Sequence, residues 1–164
     1  MESNLSPRID WNRFESIAPG AVEALRSLGK TVEDSGMDKT MVELVKVRVS
    51  QLNGCAFCLG LHLDLAHRLG IPGEKLDLVA VWRDAGVFSS RERAALEWAE
   101  RLAGMSGAHV ADSDFECVTG IFSESEVVFL TVAIAHINAW NRIAGSLRFA
   151  PSSPRKRHAP GSPS

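Results

Sequence analysis

Apolar residues recur every three to four positions along almost the whole chain, and this helical period limits the possible folds more than any other feature. Ser, Thr, Asp, Gly and Pro interrupt the pattern where helices should begin and end. No alternating run of strand length bounded by hairpin residues occurs. The sequence therefore predicts an all-α fold. Its helices are expected at about 20–30 after Pro19, from Asp38 or Thr40 to Leu52, at about 55–69, from Pro72 through Trp82, and at about 124–145.

Three Ser-x-x-Glu pairs predict helix starts. In a capping box of this kind the serine hydroxyl and the glutamate carboxylate each satisfy a backbone N–H that the start of a helix leaves unpaired. The three pairs are Ser89 with Glu92, Ser113 with Glu116, and Ser123 with Glu126. We therefore expect helices to begin at these points, the last of them being the helix at 124–145.

The last predicted helix is apolar on nearly all faces from Val127 to Ile137. A membrane span needs about 20 apolar residues, whereas polar residues interrupt this run at positions 136, 138, 141 and 142. We therefore expect a central core helix, or one packed into a subunit interface, and no membrane partner.

The composition places the chain among ordinary globular proteins. It has 164 residues, 45% hydrophobic and 23% charged, which is enough for one domain, assigned here to residues 1–149. A formal net charge of −2 offers no field that would attract nucleic acid as the main partner. Three cysteines are too few for a secreted disulfide scaffold, and the first residues do not resemble a signal peptide, so a cytoplasmic protein is expected.

The composition changes after Phe149, because residues 150–164 contain no large apolar side chain. Such a segment cannot bury enough surface to offset its ordering entropy, and it is expected to form a flexible tail. Its basic cluster, Arg155 to His158, is of a size that solvated tails commonly carry, so we assign it no partner.

Cys55, Cys58 and His62 form the one concentrated group of reactive side chains. At about 100° per residue, the three positions fall within roughly 60° of one another on a helix. The pair follows Asn53-Gly54, a predicted helix break, so it should lie in a first turn whose unpaired N–H groups stabilise a thiolate. Two such cysteines can act as nucleophile and resolving thiol, while the histidine accepts the thiol proton. The pattern indicates a dithiol peroxidase.

Two structural interpretations compete with this chemistry. The three side chains, with Cys117 as a fourth ligand, could hold zinc, although structural zinc sites usually pair two short-spaced ligand sets and Cys117 stands alone. They could instead be buried small residues beside a hydrogen-bonded core histidine. Cys117 by itself is expected to be a core thiol.

Glu43 is the remaining candidate, twelve positions before Cys55 on the preceding helix. A tight connection at Asn53-Gly54 would fold the two helices together, and the Glu43 carboxylate could then orient His62 or accept a proton. Thr40 and Glu43 also have the spacing of a capping box, so Glu43 could simply close the start of its own helix. Spacing alone supports both roles equally.

These residues resemble a known family. Residues 43–62, ELVKVRVSQLNGCAFCLGLH, are similar to the signature of the alkylhydroperoxidase AhpD-like proteins, within the carboxymuconolactone decarboxylase superfamily. The glutamate, the CxxC pair and the following histidine stand at the separations of that signature. Two downstream segments, residues 92–99 and 137–142, are similar to segments common in these proteins. The resemblance spans roughly Arg8 to Phe149.

The resemblance implies a thiol-dependent peroxidase with an all-helical fold that assembles into trimers or hexamers. In the best-known members the second cysteine attacks the peroxide, which would make Cys58 the nucleophile and Cys55 the resolving thiol. A glutamate and a histidine relay the proton through water, a role that would fall to Glu43 and His62. An external dithiol, which in the family can be a lipoyl-bearing protein, reduces the disulfide, and no metal or other cofactor is implied.

The chain departs from AhpD itself at Phe57, which stands where AhpD has a histidine before the second cysteine. Many shorter relatives lack that histidine as well, so the departure leaves the relay in place and leaves the electron donor open. The decarboxylase branch lacks the cysteine pair, and Cys55 and Cys58 argue against it. Two other functions remain as alternatives: a redox-sensing or chaperone-like oligomer without turnover, and a carboxymuconolactone decarboxylase-type enzyme.

Overall fold

The computed structural model describes residues 6–105, 107 and 109–151. Over these residues the protein consists of α-helices without strands, as the helical period predicts. The described helices are α1 (Trp11–Ile17), α2 (Pro19–Asp34), α3 (Lys39–Leu52), α4 (Ala56–Arg68), α5 (Gly73–Leu78), α6 (Ser90–Ala103), α7 (Asp112–Thr119) and α8 (Glu124–Leu147), with a 3-10 turn at Val79–Val81. The basic cluster at 155–158 lies outside the described residues.

Two of the three predicted capping boxes are confirmed. The Ser89 and Ser123 side chains accept from the backbone N–H groups of Glu92 and Glu126, and both glutamates reach back to the serine N–H. The third is wrong, because α7 begins before Ser113, at Asp112, and its N-cap makes no side-chain hydrogen bond.

The helical period does not predict α1, since seven residues contain too few turns to show a period. A local cap supports this helix instead: the Asp10 carboxylate accepts a hydrogen bond from the Arg13 N–H at 2.8 Å. Pro19 then occupies the first position of α2, where its missing N–H costs nothing.

Helix α8 packs against α2, α3, α4, α6 and α7, which agrees with the prediction of a core helix. It is long and apolar enough to span a membrane by length and composition, a test that core helices of soluble proteins also pass. Its inner face is buried and contributes, among others, Leu130, Ile134 and Ile137 to the main core. Its outer face is partly uncovered, with Val128 53% exposed.

Helix α3 lies between two apolar cores. Val45 and Val49 belong to the larger core, which α6 and α8 share, while Leu44 and Val47 belong to a second core with α5 and the end of α4. Three polar residues of α3 are nevertheless buried: Glu43, Lys46 and Ser50. Because burying polar groups costs free energy unless they are paired, these residues draw attention to the face of α3 that meets α4 and α8.

The two ends of the described chain meet at the end of α8. The backbone N–H groups of Arg8 and Ile9 donate to the Leu147 carbonyl at 3.0 and 3.3 Å. Arg148 takes a left-handed conformation (φ 57°), and the Phe149 N–H then donates to the Ala144 carbonyl at 3.0 Å. This arrangement directs Phe149 back toward α1 and the start of α4.

Candidate active site

The turn between α3 and α4 brings the cysteine pair against the end of α3. Gly54 has a positive φ of 64°, the left-handed conformation expected of a glycine after a helix, and the Cys55 N–H donates to the Ser50 carbonyl at 3.0 Å. The predicted break at Asn53-Gly54 is therefore confirmed. Its consequence is that α4 starts beside α3 and runs back along it.

Cys55 is the N-cap of α4, and Cys58 lies in its first turn. The Cys55 Sγ accepts a hydrogen bond from the Cys58 backbone N–H at 3.3 Å, and the two Sγ atoms are 2.7 Å apart. Both residues are only 2% exposed. The prediction that the two sulfurs share one face at a helix start is confirmed.

The surroundings of the pair favour a thiolate. A hydrogen bond from the Cys58 thiol, with weaker ones from the backbone N–H groups of Cys58 and Phe57 and from the Asn141 amide, lowers the pKa of Cys55 to about 7 against the effect of burial. Donating to Cys55, together with burial, raises the pKa of Cys58. The pair thus shares one proton near neutral pH, and the first negative charge is held at the helix start.

His62 and Glu43 are in direct contact, as the sequence predicts for an orienting carboxylate. The Glu43 Oε2 atom is 2.7 Å from His62 Nδ1, and its Oε1 accepts from the Lys46 ammonium at 3.0 Å. Burial would raise the pKa of Glu43, but the hydrogen bonds that it accepts from His62 and Lys46 and the positive charge of Lys46 hold that pKa below its ordinary value. The capping interpretation of Glu43 is wrong, because Asp38 caps α3 instead.

The contact with Glu43 decides which nitrogen of His62 can act as a base. An ionised carboxylate only accepts hydrogen bonds, so Nδ1 carries the proton and Nε2 is left as the acceptor. A neutral imidazole with its Nε2 unprotonated is the form that can take a proton from a thiol.

Cys58 and His62 line the same cavity, which has a volume of about 630 Å³. One side of the cavity is polar and carries Glu43, Lys46 and His62, while the other is aromatic. Its aromatic and aliphatic lining consists of Trp11, Phe57, Trp140, Leu61 and Leu65. Cys55 does not line the cavity and lies behind Cys58, so a small molecule that enters meets Cys58 first.

Phe57 belongs to the aromatic side of this cavity. Its ring is stacked with that of Trp11 at a centroid distance of 6.4 Å and meets Phe149 edge-on at 5.4 Å. Trp11 also contacts Trp140, at 5.9 Å. The residue that replaces the histidine of AhpD therefore joins α1, α4 and the end of α8 into one apolar wall.

Sequence reasoning missed three polar residues around the site. Lys46 follows Glu43 by three positions, a spacing that signals an ion pair on one helix face. Asn141 is 3% exposed, and its amide donates to Ser50, whose carbonyl accepts from the Cys55 N–H. Its only signal was its place in the segment 137–142.

The third missed residue is His136, which lines the cavity from α8. The Trp140 indole donates to its Nε2 at 2.9 Å, and burial lowers the pKa of His136 to about 4, so the ring is neutral. Its Nδ1 has no hydrogen-bond partner among the described residues. The ring also lies so close to Gly29 of α2 that a Cβ there would be 2.9 Å from its Cε1, which explains the glycine.

Cys117 is not part of this site, and its predicted place in the core is wrong. The thiol is exposed on α7 and lines another cavity with Arg93, Arg101 and Asp114. Over residues 6–105, 107 and 109–151, no three His, Cys, Asp or Glu side chains are arranged to hold a metal ion. The zinc interpretation that used Cys117 as a fourth ligand therefore has no ligand set in this part of the chain.

Comparison with known proteins gives the chain a family. Residues 19–101 match the Carboxymuconolactone decarboxylase family, and this region includes Glu43, both cysteines of the pair and His62. The uncharacterised protein YdfG of Bacillus subtilis is 33% identical over 131 residues, which cover 80% of this chain and 89% of the relative.

Solved structures support the same relationship. A protein of unknown function from Agrobacterium tumefaciens, assigned provisionally to the antioxidant defence protein AhpD, has 34% identity and a TM-score of 0.84, covering 90% of this chain and 99% of its own. The debrominase Bmp8 has a TM-score of 0.75, with coverage of 84% and 74%, but its 19% identity shows a common fold alone. Proteins with this fold thus differ in chemistry, and function must come from the site.

Proposed function

The chain belongs to the carboxymuconolactone decarboxylase family, in its AhpD-like group, and from this premise we propose that it is a thiol-dependent peroxidase. The observation that carries the proposal is the arrangement around Cys58. This thiol lines a cavity with His62, whose Nδ1 is held by Glu43, and a second sulfur lies 2.7 Å behind it. A nucleophile, a base with its orienting group and a resolving thiol are thus together in one place.

The first step oxidises Cys58. His62 Nε2 accepts the Cys58 proton, directly or through a water, and the thiolate attacks the outer oxygen of ROOH. The O–O bond breaks, and the leaving RO⁻ takes the proton back from His62. The products are a Cys58 sulfenic acid and ROH, so the sulfur loses two electrons and the peroxide gains them.

The second step closes the disulfide. Cys55 loses its proton, its thiolate attacks the Cys58 sulfur, the S–O bond breaks, and the leaving hydroxide takes up that proton to form water. Because the two sulfurs are already adjacent, this step needs no large movement of the backbone. An external dithiol then reduces the disulfide and returns both thiols, becoming a disulfide itself.

The cavity supports an organic hydroperoxide as substrate. Trp11, Phe57 and Trp140 form one side of it, and apolar surface of this kind binds the R group of ROOH but gains nothing from hydrogen peroxide. The volume of about 630 Å³ lies within the range of small-molecule sites.

The remaining parts of the proposal concern partners. The external reductant is a dithiol, for which a lipoyl-bearing protein is the family precedent that the resemblance supplies. Assembly into trimers or hexamers is proposed for the same reason, and the uncovered apolar residues Val128 and Met105, on and near the outer face of α8, are compatible with a subunit contact there.

Mass spectrometry of alkylated protein tests the proposal. After a limiting amount of an organic hydroperoxide, we expect two thiols per chain to be lost. One peptide should then contain an internal Cys55–Cys58 disulfide, while Cys117 is still alkylated. A coupled assay with a small dithiol should then show repeated turnover. Alkylation of Cys55 and Cys58 that peroxide leaves unchanged would contradict the proposal.

The same experiment separates the peroxidase from a redox sensor. Because both sulfurs are buried, access for a large reductant is restricted. A single stoichiometric burst of peroxide consumption, with no turnover under small dithiols or a lipoyl-bearing protein, would favour a redox-sensing or chaperone-like oligomer instead.

A further inference from the structure

Asn141 is a polar residue in the apolar core whose amide lies beside the reactive sulfurs. It is 3% exposed on α8 and donates to the hydroxyl of Ser50, whose carbonyl accepts from the Cys55 N–H at 3.0 Å. This contact places the amide beside Cys55, and a hydrogen bond from it lowers the pKa of Cys55. A buried carboxamide without hydrogen bonds costs free energy, so the surrounding groups should define how it is used.

The orientation of the Asn141 amide follows from its neighbours. Asn53 Nδ2 donates one hydrogen to Asn141 Oδ1 at 2.9 Å and the other to Asn138 Oδ1 at 2.9 Å. The Asn141 oxygen therefore faces Asn53. Its amide nitrogen faces the opposite side, where it donates to the Ser50 hydroxyl at 3.2 Å and has a second hydrogen for the sulfur pair.

The remaining contacts hold this arrangement in place. Asn138 Oδ1 also accepts from Arg142 at 2.9 Å, and Asn138 Nδ2 donates to the Ile134 carbonyl at 3.0 Å. Turning the Asn141 amide over would set its N–H₂ group against the donors of Asn53 and lose the bond to Ser50. The network therefore fixes a donor, and not an acceptor, toward the sulfurs.

We propose that Asn141 is a further catalytic residue, whose amide N–H donates to the Cys55–Cys58 pair and stabilises whichever sulfur carries the negative charge. Asn53 is the positioning residue that orients this amide. Cys55 already receives a backbone N–H as the N-cap of α4. Asn141 adds a donor for either sulfur, so the sulfur that loses its proton is stabilised at each step without rearrangement of the protein.

This role deepens the proposed function, since the charge must lie on Cys58 when the peroxide is attacked and on Cys55 when the disulfide closes. Thiol ionisation distinguishes two possible roles of this hydrogen-bond network. If Asn141 only ties α8 to the α3–α4 turn, its loss lowers stability and leaves thiol ionisation unchanged. If it donates to the sulfurs, its loss makes the thiols harder to ionise.

The test follows thiolate formation in the reduced full-length protein and does not depend on peroxide turnover. Iodoacetamide reacts with thiolates, so its rate against pH gives the midpoint of ionisation. All variants carry Cys117→Ser, so that only the pair reports. The other titratable groups lining the cavity beside Cys58 are unchanged: Glu43 and Lys46 on α3, His62 on α4, and His136 on α8, with Arg26, Lys30 and Glu33 on α2.

We expect Asn141→Ala to move the midpoint upward by about one pH unit, which slows alkylation about tenfold at a pH below it. Asn141→Asp places an acceptor and a negative charge beside the sulfurs and should move the midpoint further in the same direction. Asn53→Ala, at an exposed residue that does not touch the sulfurs, should give a smaller upward shift.

Thr131→Val is the matched control, because Thr131 is a partly buried polar residue of α8 that accepts from Trp98 at 3.0 Å, away from the sulfurs. It should lower the melting temperature without moving the midpoint. Equal midpoints in Asn141→Ala and Thr131→Val would overturn the proposal. Should Asn141→Ala fail to fold, an unchanged midpoint in Asn53→Ala would do the same. A shifted midpoint in Asn141→Ala, together with no peroxide turnover in the unsubstituted protein, would refute only the proposed reaction.

Discussion

The cavity at Cys58 and the cavity at Cys117 contain the same reactive side chain in opposite surroundings. Cys58 is buried, has a second sulfur 2.7 Å away and shares its cavity with His62. Cys117 is exposed, and its cavity of about 520 Å³ is lined by arginines and carboxylates together with Trp82 and Trp98. The exposed thiol is the easier one to reach, whereas the buried one has beside it the base and the second sulfur that the proposed reaction needs.

The polar groups of the two cavities explain this difference. In the cavity at Cys117, Arg93 donates to three backbone carbonyls and Arg101 pairs with Asp114 at 3.2 Å, so the guanidinium groups already have partners. In the cavity at Cys58, Glu43 holds one nitrogen of His62 and leaves the other as an acceptor. Exposure alone therefore does not make Cys117 a candidate nucleophile, whereas Cys58 has an oriented base and a second sulfur beside it.

Removing each thiol in turn gives the largest expected contrast. Cys58→Ser should reduce peroxide turnover to background in a coupled assay, because a serine hydroxyl does not form a nucleophilic anion near neutral pH. Cys117→Ser, the matched control, should keep full turnover. If Cys58→Ser is active and Cys117→Ser is not, the assignment of the two cavities is reversed.

A second contrast concerns the carboxylates. In Glu43→Gln the amide oxygen can still accept from Lys46, but the amide N–H₂ group then faces His62 Nδ1 and favours the tautomer that cannot accept a proton at Nε2. Peroxide turnover should fall about 100-fold, the usual contribution of general acid–base catalysis, with cooperative melting retained. Glu97→Gln, beside the other cavity, should change turnover little.

A lost melting transition in Glu43→Gln, without a separate kinetic defect in the folded fraction, would instead assign Glu43 a purely structural role. Glu43 and Lys46 form a buried ion pair, and replacing either residue lowers stability in any case. Stability and turnover must therefore be measured on the same preparation.

The smallest expected effect lies in the aromatic wall that Trp11, Phe57 and Trp140 form in the cavity at Cys58. Trp11→Ala removes one face of that wall and should raise the KM for a bulky organic hydroperoxide about fivefold, in line with the strength of an aromatic contact. The rate with hydrogen peroxide serves as the internal control and should not change. An equal loss with both peroxides would mean that Trp11 supports the fold of the site and does not bind the R group.

Much of the fold follows from local patterns. The helix break at Asn53-Gly54, the capping boxes at Ser89 and Ser123, and the core helix α8 were all accessible to sequence reasoning because each depends on neighbouring residues. The prediction at Ser113 was wrong for the same reason, since the spacing of a capping box does not prevent a helix from starting earlier. Helix α1 was not predicted, because its seven residues are too few to show a helical period.

The candidate site divides in the same way. The helical period was enough to place Cys55, Cys58 and His62 on a common face, because all three belong to α4 or its cap. The role of Glu43 was open between a cap and an orienting carboxylate, and the packing of α3 against α4 placed it 2.7 Å from His62 Nδ1.

What the linear chain specifies on its own is therefore the set of helices and the reactive pair at the start of one of them, because hydrogen bonds within a few residues create both. The exposure of Cys117 and the contacts of Asn141 with Ser50 and Asn53 depend on how distant helices pack. Asn141 and Asn53 are 88 positions apart and meet only when α8 crosses the α3–α4 turn. No local pattern predicts the contact between Asn141 and Asn53, because the apolar cores that bring these helices together contain residues from the whole domain.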